Sequence, residues 1–263
     1  MVKIANCLKV ESLSYSFSDT RTINNVSFNL HSGDLMVFWG ANGAGKSTLL
    51  KCICNIIEPT KGYVSFNDID NNVLRRKHKL TKIYGYLAQN QSRVPDITAS
   101  EFAITGRAPH IKLWGKPTDR DYGILSSSFK LLGIEHLYYK PYANISGGEQ
   151  QQVRLARILC QEPKVILLDE PSNYLDIKNQ ARILDLINFL RSQGYIIMLS
   201  THDPAHIHYL GNCRVAVFQS DETRSLEIVE SNMFTWEYIA AVFGIDLQKS
   251  LVRFMPQVAA LNN

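Results

Sequence analysis

The stretch Gly40-Ala41-Asn42-Gly43-Ala44-Gly45-Lys46-Ser47-Thr48 decides the fold. It fits the pattern G-x-x-x-x-G-K-[ST], and it lies between an apolar run at 35–39 and a helix predicted over about 46–55. In this context, glycine lets backbone N–H groups wrap around a phosphate, and the helix N-terminus adds its dipole. We therefore predict that residues 40–48 bind a nucleotide, with Lys46 at the β- and γ-phosphates and Ser47 on Mg²⁺.

On both sides of this stretch, short apolar strands alternate with amphipathic helices, a pattern that indicates an α/β fold. Strands are predicted at 8–17, 24–30, 35–39, 63–67, 83–88, 165–168, 195–200, 213–218 and 225–229. Between about 90 and 160 the pattern becomes helical, with helices at 100–105, 120–132 and 149–159. Asp176 is predicted to cap a further helix, whose apolar face comprises Ile177, Ala181, Leu184, Ile187 and Leu190.

Length and composition exclude several classes of protein. The 263 residues, 45% of them hydrophobic, suffice for one domain or two closely joined lobes, and a net charge of +4 is low for a nucleic-acid binder. The basic run at 75–79 is interpreted as a solvated face rather than a nucleic-acid patch. Five cysteines without zinc-site spacing suit a reducing compartment. We expect neither a secretory signal nor a membrane span, so a role at a membrane requires a partner.

A second motif is Val165-Ile166-Leu167-Leu168-Asp169-Glu170, an apolar run that ends in two acidic residues. The carboxyl end of a buried strand is the edge at which an open α/β sheet binds ligands. Following a phosphate-binding loop, Asp169 is predicted to hold Mg²⁺ through water, and Glu170 to act as the general base on the attacking water.

A third motif is Ile145-Ser146-Gly147-Gly148-Glu149-Gln150 at the start of a predicted helix. Its N-terminus could bind an anion, or it could be an ordinary turn with a helix cap. By itself the motif favours the ordinary turn.

Together, these three motifs and His202 in Ser200-Thr201-His202-Asp203 resemble the signature set of ABC ATPases, in the order found in that family. The resemblance covers nearly the whole chain. It implies an α/β fold: a P-loop NTPase core of ABC type with an N-terminal antiparallel β region and an inserted helical subdomain. A single domain over 1–263 is expected, with the core at about 1–89 and 161–220, the helical subdomain at about 90–160, and a C-terminal strand and helix at 221–263.

The same resemblance implies further roles. ATP and Mg²⁺ are the expected cofactors, and Phe17 matches an aromatic residue that stacks on adenine, whereas Tyr15 is expected to pack on the other face of the sheet or to flank the site. Gln89, in Tyr86-Leu-Ala-Gln89, matches the Q-loop that contacts Mg²⁺ and water. His202 matches the switch histidine at the γ-phosphate. The expected catalytic residues are Lys46, Gln89, Glu170 and His202, and the expected metal ligands are Ser47, Gln89 and Asp169.

In this family, two subunits enclose two ATP molecules. The resemblance therefore implies a homodimer in which Ser146, Gly147, Gly148 and Glu149 of one chain face the phosphate loop of the other. Asn173-Tyr174-Leu175-Asp176 matches the loop that crosses the dimer interface. The sequence departs from the common family pattern at Ala41, at Asn173-Tyr174 and at Gln150-Gln151-Gln152, and none of these departures removes a reactive group.

Three segments resemble the ATPases of type II importers, which take up iron-siderophores, haem, cobalamin or molybdate: residues 105–110, 201–206 and 235–244. This resemblance implies transmembrane permease subunits as partners, indirectly a substrate-binding protein, and a peripheral place on the cytoplasmic face of the inner membrane. A groove from Gln89 to His110 is expected to dock a permease helix, with Val94, Ile97, Phe102 and Ile104 as candidate contacts.

Two alternatives from other classes remain. The chain could be a soluble ABC ATPase of iron–sulfur cluster assembly, or an ATP-dependent DNA-repair protein, although no long coiled-coil insertion supports the latter. A metal site at His202, His206 and His208 is not expected, because Pro204 lies between them.

Overall fold

The computed structural model describes residues 6–17, 20–89, 96–112, 114–173, 175–218 and 226–244. In this part of the chain, ten strands form two sheets. The smaller sheet is antiparallel, with the order β2-β1-β4-β5, and contains β1 (Cys7–Phe17), β2 (Thr20–His31), β4 (Lys61–Phe66) and β5 (Ile69–Asp70). The larger sheet has the order β10-β9-β3-β8-β7-β6, from β3 (Leu35–Trp39), β6 (Tyr84–Leu87), β7 (Val165–Asp169), β8 (Ile196–Thr201), β9 (Arg214–Phe218) and β10 (Leu226–Glu230).

In the larger sheet, β9, β3, β8, β7 and β6 are all parallel, and only β10 runs antiparallel to its neighbour. All residues of β3, β7 and β8 are buried. This is expected for a parallel sheet, because both of its faces are covered. The carboxyl ends of the parallel strands lie at one edge. The segments that follow β3, β6, β7 and β8, which carry the predicted site residues, therefore begin at that edge.

Nine α-helices connect the strands in the described part: α1 (Lys46–Ile53), α2 (Asn71–Arg76), α3 (Leu80–Ile83), α4 (Ala99–Ile104), α5 (Asp119–Leu132), α6 (Gly147–Cys160), α7 (Ile177–Ser192), α8 (Pro204–Leu210) and α9 (Trp236–Phe243). Short 3-10 helices occupy Thr105–His110, Glu135–Leu137, Tyr142–Asn144 and Ser231–Met233. The predicted fold class is confirmed: α4, α5 and α6 lie between β6 and β7, where a helical insertion was expected, and the antiparallel region precedes them.

Three apolar clusters stabilise this arrangement. The first lies between the two sheets, and Phe28, Phe38 and Phe218 pack edge-on or tilted within it. The second lies on the opposite face of the larger sheet, under α7, α8 and α9. The third belongs to α4, α5 and α6, and its centre is a stacked pair of rings, Phe102 and Tyr142, 4.3 Å apart. The helical insertion thus has a core of its own.

The structure corrects two details of the sequence analysis. Ile177 was predicted on the apolar face of α7, but it begins the helix and is 86% exposed, whereas Ile183 and Leu186 are buried with Leu184, Ile187 and Leu190. The first turn of α7 is therefore largely exposed, and its buried face begins at Ile183. In addition, α1 ends at Ile53 rather than Asn55, which has a positive φ of 59°. Asp176 does cap α7, as predicted, by accepting from the Asn179 amide.

Candidate functional site

The glycine-rich loop joins the end of β3 to the start of α1. Gly45 occupies the N-cap of α1 with φ 107°, a left-handed conformation that favours glycine, and no side chain caps this helix. Gly40 passes so close to Phe218 that a Cβ on it would lie 2.8 Å from the Phe218 Cβ. The N–H groups of the first turn of α1 are therefore left without a side-chain acceptor, as an anion-binding helix start requires.

Lys46 extends back along this loop. Its Nζ donates to the carbonyl oxygens of Gly40 (2.8 Å) and Ala41 (3.0 Å), and lies 3.9 Å from Oε1 of Glu170. Burial lowers the pKa of the Lys46 ammonium, and the Glu170 and Asp169 carboxylates act in the opposite direction. The side chain is buried, yet two carbonyls and a carboxylate compensate its charge.

Asp169, the last residue of β7, accepts hydrogen bonds on both carboxylate oxygens. Oδ1 accepts from the hydroxyls of Ser47 (2.9 Å) and Ser200 (2.6 Å), and Oδ2 accepts from the Tyr86 hydroxyl (3.1 Å). Burial raises the pKa of Tyr86 well above its usual range, and Asp169 adds to this shift, so the phenol stays protonated as a donor. Hydroxyl and carboxylate oxygens this close together are the ligands that Mg²⁺ prefers, so the donor set fits that ion.

Glu170 follows Asp169 and is oriented by several groups. Its Oε2 accepts from Gln89 Nε2 (3.2 Å) and from the Asn173 amide, and lies 3.5 Å from His202 Nδ1. Its backbone N–H donates to the Ser200 hydroxyl at 2.9 Å. Glu170 also has a positive φ of 48°, an unfavourable conformation for a residue with a side chain. The structure thus brings the predicted residues Lys46, Gln89, Asp169, Glu170 and His202 together.

The segment that carries His202 is held from two sides. The Trp39 indole N–H donates to the His202 carbonyl at 3.2 Å, and the Thr201 hydroxyl lies 2.8 Å from Nδ1 of the buried His206. The His202 side chain itself is half exposed. Burial lowers the pKa of His206, with Asp203 raising it and His202 lowering it further. Among the described residues, no group of three or more His, Cys, Asp or Glu is arranged to bind a metal.

The Ser146–Glu149 segment forms a capping box at the start of α6. The Glu149 amide donates to the Ser146 hydroxyl, while Ser146 donates its N–H and hydroxyl to Oε2 of Glu149, each at 2.8 Å. Further along α6, Gln151 Nε2 donates to the Pro171 carbonyl in the loop after β7 at 3.1 Å. The structure shows it exposed at Ser146 and Gly147, and does not join it to the phosphate loop of the same chain.

Phe17, the predicted adenine contact, and the nearby Tyr15 lie at the end of β1. Phe17 is 69% exposed, whereas Tyr15 is partly buried and packs against the core between the sheets. Tyr15 was expected to pack on the other face of the sheet or to flank the site, and its partly buried position shows contact with the core.

Segment 105–110 is largely a packing element. The buried Arg107 pairs with Asp121 and Glu162, each at 2.8 Å, and donates to the Cys160 carbonyl at 2.7 Å. Of the candidate docking residues, Phe102 is buried in the lobe core, and Ile97 and Ile104 are partly buried against it. Val94 lies outside the described residues.

Sequence reasoning missed three residues of this site: Tyr86, Ser200 and Asn173. Two of them could have been predicted from strand order. Because β6 and β8 both pair with β7 in parallel, Tyr86 and Ser200 lie on either side of the end of β7. Asn173 had been noted only as a departure from the common loop sequence. Its contact with Glu170 depends on how the loop after β7 folds back, which spacing does not reveal.

The sequence profile of the ABC transporter family matches residues 23–173. This chain belongs to the ABC transporter family. It is an ABC ATPase, because the members of that family hydrolyse ATP to drive transport. None of the helices that the structure describes is long and apolar enough to cross a membrane.

Relatives of this ABC ATPase cover from about three quarters to nearly all of its length. An uncharacterized ABC transporter ATP-binding protein from Methanocaldococcus jannaschii is 33% identical over 97% of this chain and 98% of its own. The molybdate import ATP-binding protein MolC of Haemophilus influenzae is 29% identical over 91% and 89%, respectively. The ferric enterobactin transport ATP-binding protein FepC of Escherichia coli is 32% identical over 74% of this chain and 72% of its own length. A solved putative metal-chelate type ABC transporter superposes with a TM-score of 0.77, at 27% identity, over 91% of this chain and 89% of that one.

Proposed function

We propose that this chain is the ATP-hydrolysing subunit of an importer for an iron-siderophore complex or a related metal-chelate or oxyanion cargo. The observation that carries the hydrolytic part is the position of Glu170, held at the carboxyl end of β7 beside Asp169 and facing Lys46. The importer part rests on similarity to subunits whose names specify molybdate import and ferric enterobactin transport.

The phosphates of ATP are assigned to residues 40–48. The uncapped first turn of α1 offers its N–H groups and the positive end of the helix dipole. Lys46 is already oriented toward the loop carbonyls, so a small movement of Nζ exchanges these for phosphate oxygens. Phe17, exposed at the end of β1, is the proposed stacking partner of the adenine.

The metal is assigned to Ser47 and Asp169, with Gln89 as a further ligand. When bound, Mg²⁺ neutralises charge on the phosphates. The chain's own contribution is to hold the Asp169 carboxylate in one orientation through Ser200 and Tyr86. Gln89 is placed to reach the same region, because its amide lies against Glu170.

Hydrolysis is assigned to Glu170 as general base. Its carboxylate takes a proton from the attacking water, and Gln89 and His202 flank the same oxygen. His202 is half exposed and faces both Glu170 and the solvent, a suitable place for a group that contacts the γ-phosphate. Lys46 stabilises negative charge that develops on the transferred phosphoryl group.

The active unit is proposed to be a homodimer. Ser146 and Gly147 are exposed, and a Cβ on Gly147 would have no atom within 4 Å. An exposed helix start with a glycine can approach the phosphates of a second chain closely. Ser146–Glu149 of one protomer would then complete the site formed by residues 40–48 of its partner.

The proposed membrane partner is a pair of permease subunits, with a substrate-binding protein acting on the other side. The chain would lie peripherally on the cytoplasmic face of the inner membrane. The docking groove for a permease helix is proposed in the described part of the segment from Gln89 to His110, residues 96–110. Ala108 is exposed in this segment, whereas Phe102 belongs to the lobe core, so Ala108 is the sharper probe of the two.

The experiment is to co-express the chain with a candidate permease from the same genome, reconstitute both in vesicles, and measure ATP-driven uptake of ferric siderophore and of molybdate. We expect uptake of one of them to require ATP, and Ala108→Glu to reduce association with the permease at least tenfold while ATP binding is retained. Thr60→Glu, exposed on a loop outside this groove, is the control. Co-purification with soluble iron–sulfur assembly proteins in place of a permease would overturn the importer proposal.

A further inference from the structure

Asn173 lies three residues beyond Glu170 in the loop between β7 and α7. Its side-chain amide donates to Oε2 of Glu170, and its backbone N–H donates to the Glu170 carbonyl at 3.2 Å. The loop therefore folds back so that one residue contacts both the side chain and the backbone of Glu170. Such a double contact fixes the direction in which the carboxylate points.

The loop that carries Asn173 is itself anchored at both ends. Gln151 of α6 donates to the Pro171 carbonyl, and Gln180 of α7 donates to the Leu175 carbonyl, both at 3.1 Å. Ser172, next to Asn173, is buried. The amide of Asn173 is thus presented from a fixed backbone rather than from a loose surface turn.

Glu170 needs such an anchor. Its backbone has a positive φ of 48°, which a residue with a side chain adopts only when its surroundings impose it. Its other side-chain neighbours have other proposed tasks: Gln89 at the metal and His202 at the γ-phosphate. Among the donors to Oε2 in the described part of the chain, Asn173 is the one without such a task, and it leaves Oε1 directed toward Lys46.

We propose that Asn173 is a positioning residue for hydrolysis. It holds Oε2 of Glu170 so that the carboxylate keeps one orientation while it takes a proton from the attacking water. It acts through Glu170 and touches neither nucleotide nor water. The inference rests on the proposed role of Glu170 as general base. Hydrolysis is faster with a positioned base, because the carboxylate need not reorient to reach the transition state.

The test uses Asn173→Leu, which keeps the size of the side chain and removes the donor. We expect kcat of ATP hydrolysis by the purified full chain to fall about tenfold or more, the scale of one hydrogen bond to a charged group. The KM for ATP and the affinity for a fluorescent ATP analogue should stay unchanged, because Asn173 does not contact the nucleotide. Asn173→Ser, which retains a short donor, should recover part of kcat.

Asn72→Leu makes the same change at an exposed position on α2 and should leave kcat, KM and thermal unfolding as in wild type. The thermal unfolding of Asn173→Leu and Asn173→Ser is measured beside it. If Asn173→Leu does not fold, Asn173→Ala, which also lacks the donor, takes its place. Wild-type kcat in a folded variant that lacks the donor, or a loss of ATP affinity in parallel with kcat, would overturn the proposal.

A double-mutant cycle separates this inference from the function on which it rests. In Glu170→Gln, the further change Asn173→Leu should reduce the residual rate less than twofold, because the residue through which it acts is already altered. A full additional tenfold loss would show that Asn173 acts independently, and would overturn the proposal. Normal turnover in Glu170→Gln alone would instead overturn the role of Glu170 itself.

Discussion

Two regions of this molecule carry motifs of the same family and differ in how their polar groups are satisfied. At the carboxyl edge of the larger sheet, side chains from several strands and loops bond to one another around Asp169 and Glu170. At the start of α6, Ser146 and Glu149 bond to each other, and the segment faces outward. The polar groups of the first region are thus paired with one another inside the chain, whereas the second region is exposed at Ser146 and Gly147.

This difference explains why one chain carries both motifs without joining them. The first region is fixed by buried contacts between strands, so its geometry exists within a single chain. The second is held by its helix cap, by Gln150, which donates to the Tyr142 and Ile145 carbonyls, and by Gln151, which reaches the Pro171 carbonyl close to Glu170. Substitutions that affect one region and spare the other therefore test whether the two belong to sites in different protomers.

The largest effect is expected in the first region. Glu170→Gln keeps the shape of the side chain and removes the base, so ATP turnover should fall by about 10²–10⁴-fold while ATP binding persists. An ATP-bound dimer should accumulate, measured by size-exclusion chromatography with ATP. Glu58→Gln, at an exposed loop position, is the matched control. Near-normal turnover in Glu170→Gln would contradict the assignment of the base.

The next effect concerns the second region. Ser146→Arg should lower hydrolysis about 10²-fold or more, because a bulky cation replaces the donors offered to the partner's phosphates. Nucleotide binding to the monomer should persist, since residues 40–48 are untouched. Ser126→Arg, exposed on α5 of the same lobe, should hydrolyse ATP normally.

Mixing the two kinds of variant sharpens this comparison. Ser146→Arg combined with Lys46→Ala should restore at most one working site per dimer, detected as partial recovery of turnover. A wild-type monomer whose rate per chain is full and independent of protein concentration would show that α6 of a second chain is not needed.

Much of this arrangement was predictable, and the limits have physical causes. The phosphate loop, β7 with its two acids, and the cap at Asp176 follow from local patterns, because each is set by neighbours in sequence. Ile177 was misplaced because helical periodicity identifies a face but not where along the helix its burial begins. Tyr86, Ser200 and Asn173 were missed because their roles arise from strand order and from a loop that folds back.

A smaller effect is expected from breaking the connection between the two regions. Gln151→Leu leaves the Pro171 carbonyl without its buried donor, so the free energy of unfolding should fall by about 1–3 kcal/mol. Urea unfolding of wild type and variant measures this difference. Gln152→Leu, at the more exposed neighbouring position, should change stability by less than about 0.5 kcal/mol. Equal losses in both variants would show that the Gln151 contact is not what joins α6 to the loop.

The smallest effect concerns the cap of α6 and depends on pH. Hydrogen bonds from the Ser146 backbone and then from its side chain lower the pKa of Glu149 below its ordinary value of 4.5. A carboxyl group whose pKa is depressed on folding contributes stability above its unfolded pKa and loses that contribution as the pH falls through its folded pKa. Glu149→Gln keeps the capping box but does not titrate. We therefore expect the variant to be slightly less stable than wild type at pH 7, and the difference to shrink as the pH falls below about 4.5, as measured by urea midpoints across this range. A difference that stays constant with pH would mean that the charge of Glu149 contributes nothing to the cap, and that the second region is held by its neutral hydrogen bonds alone.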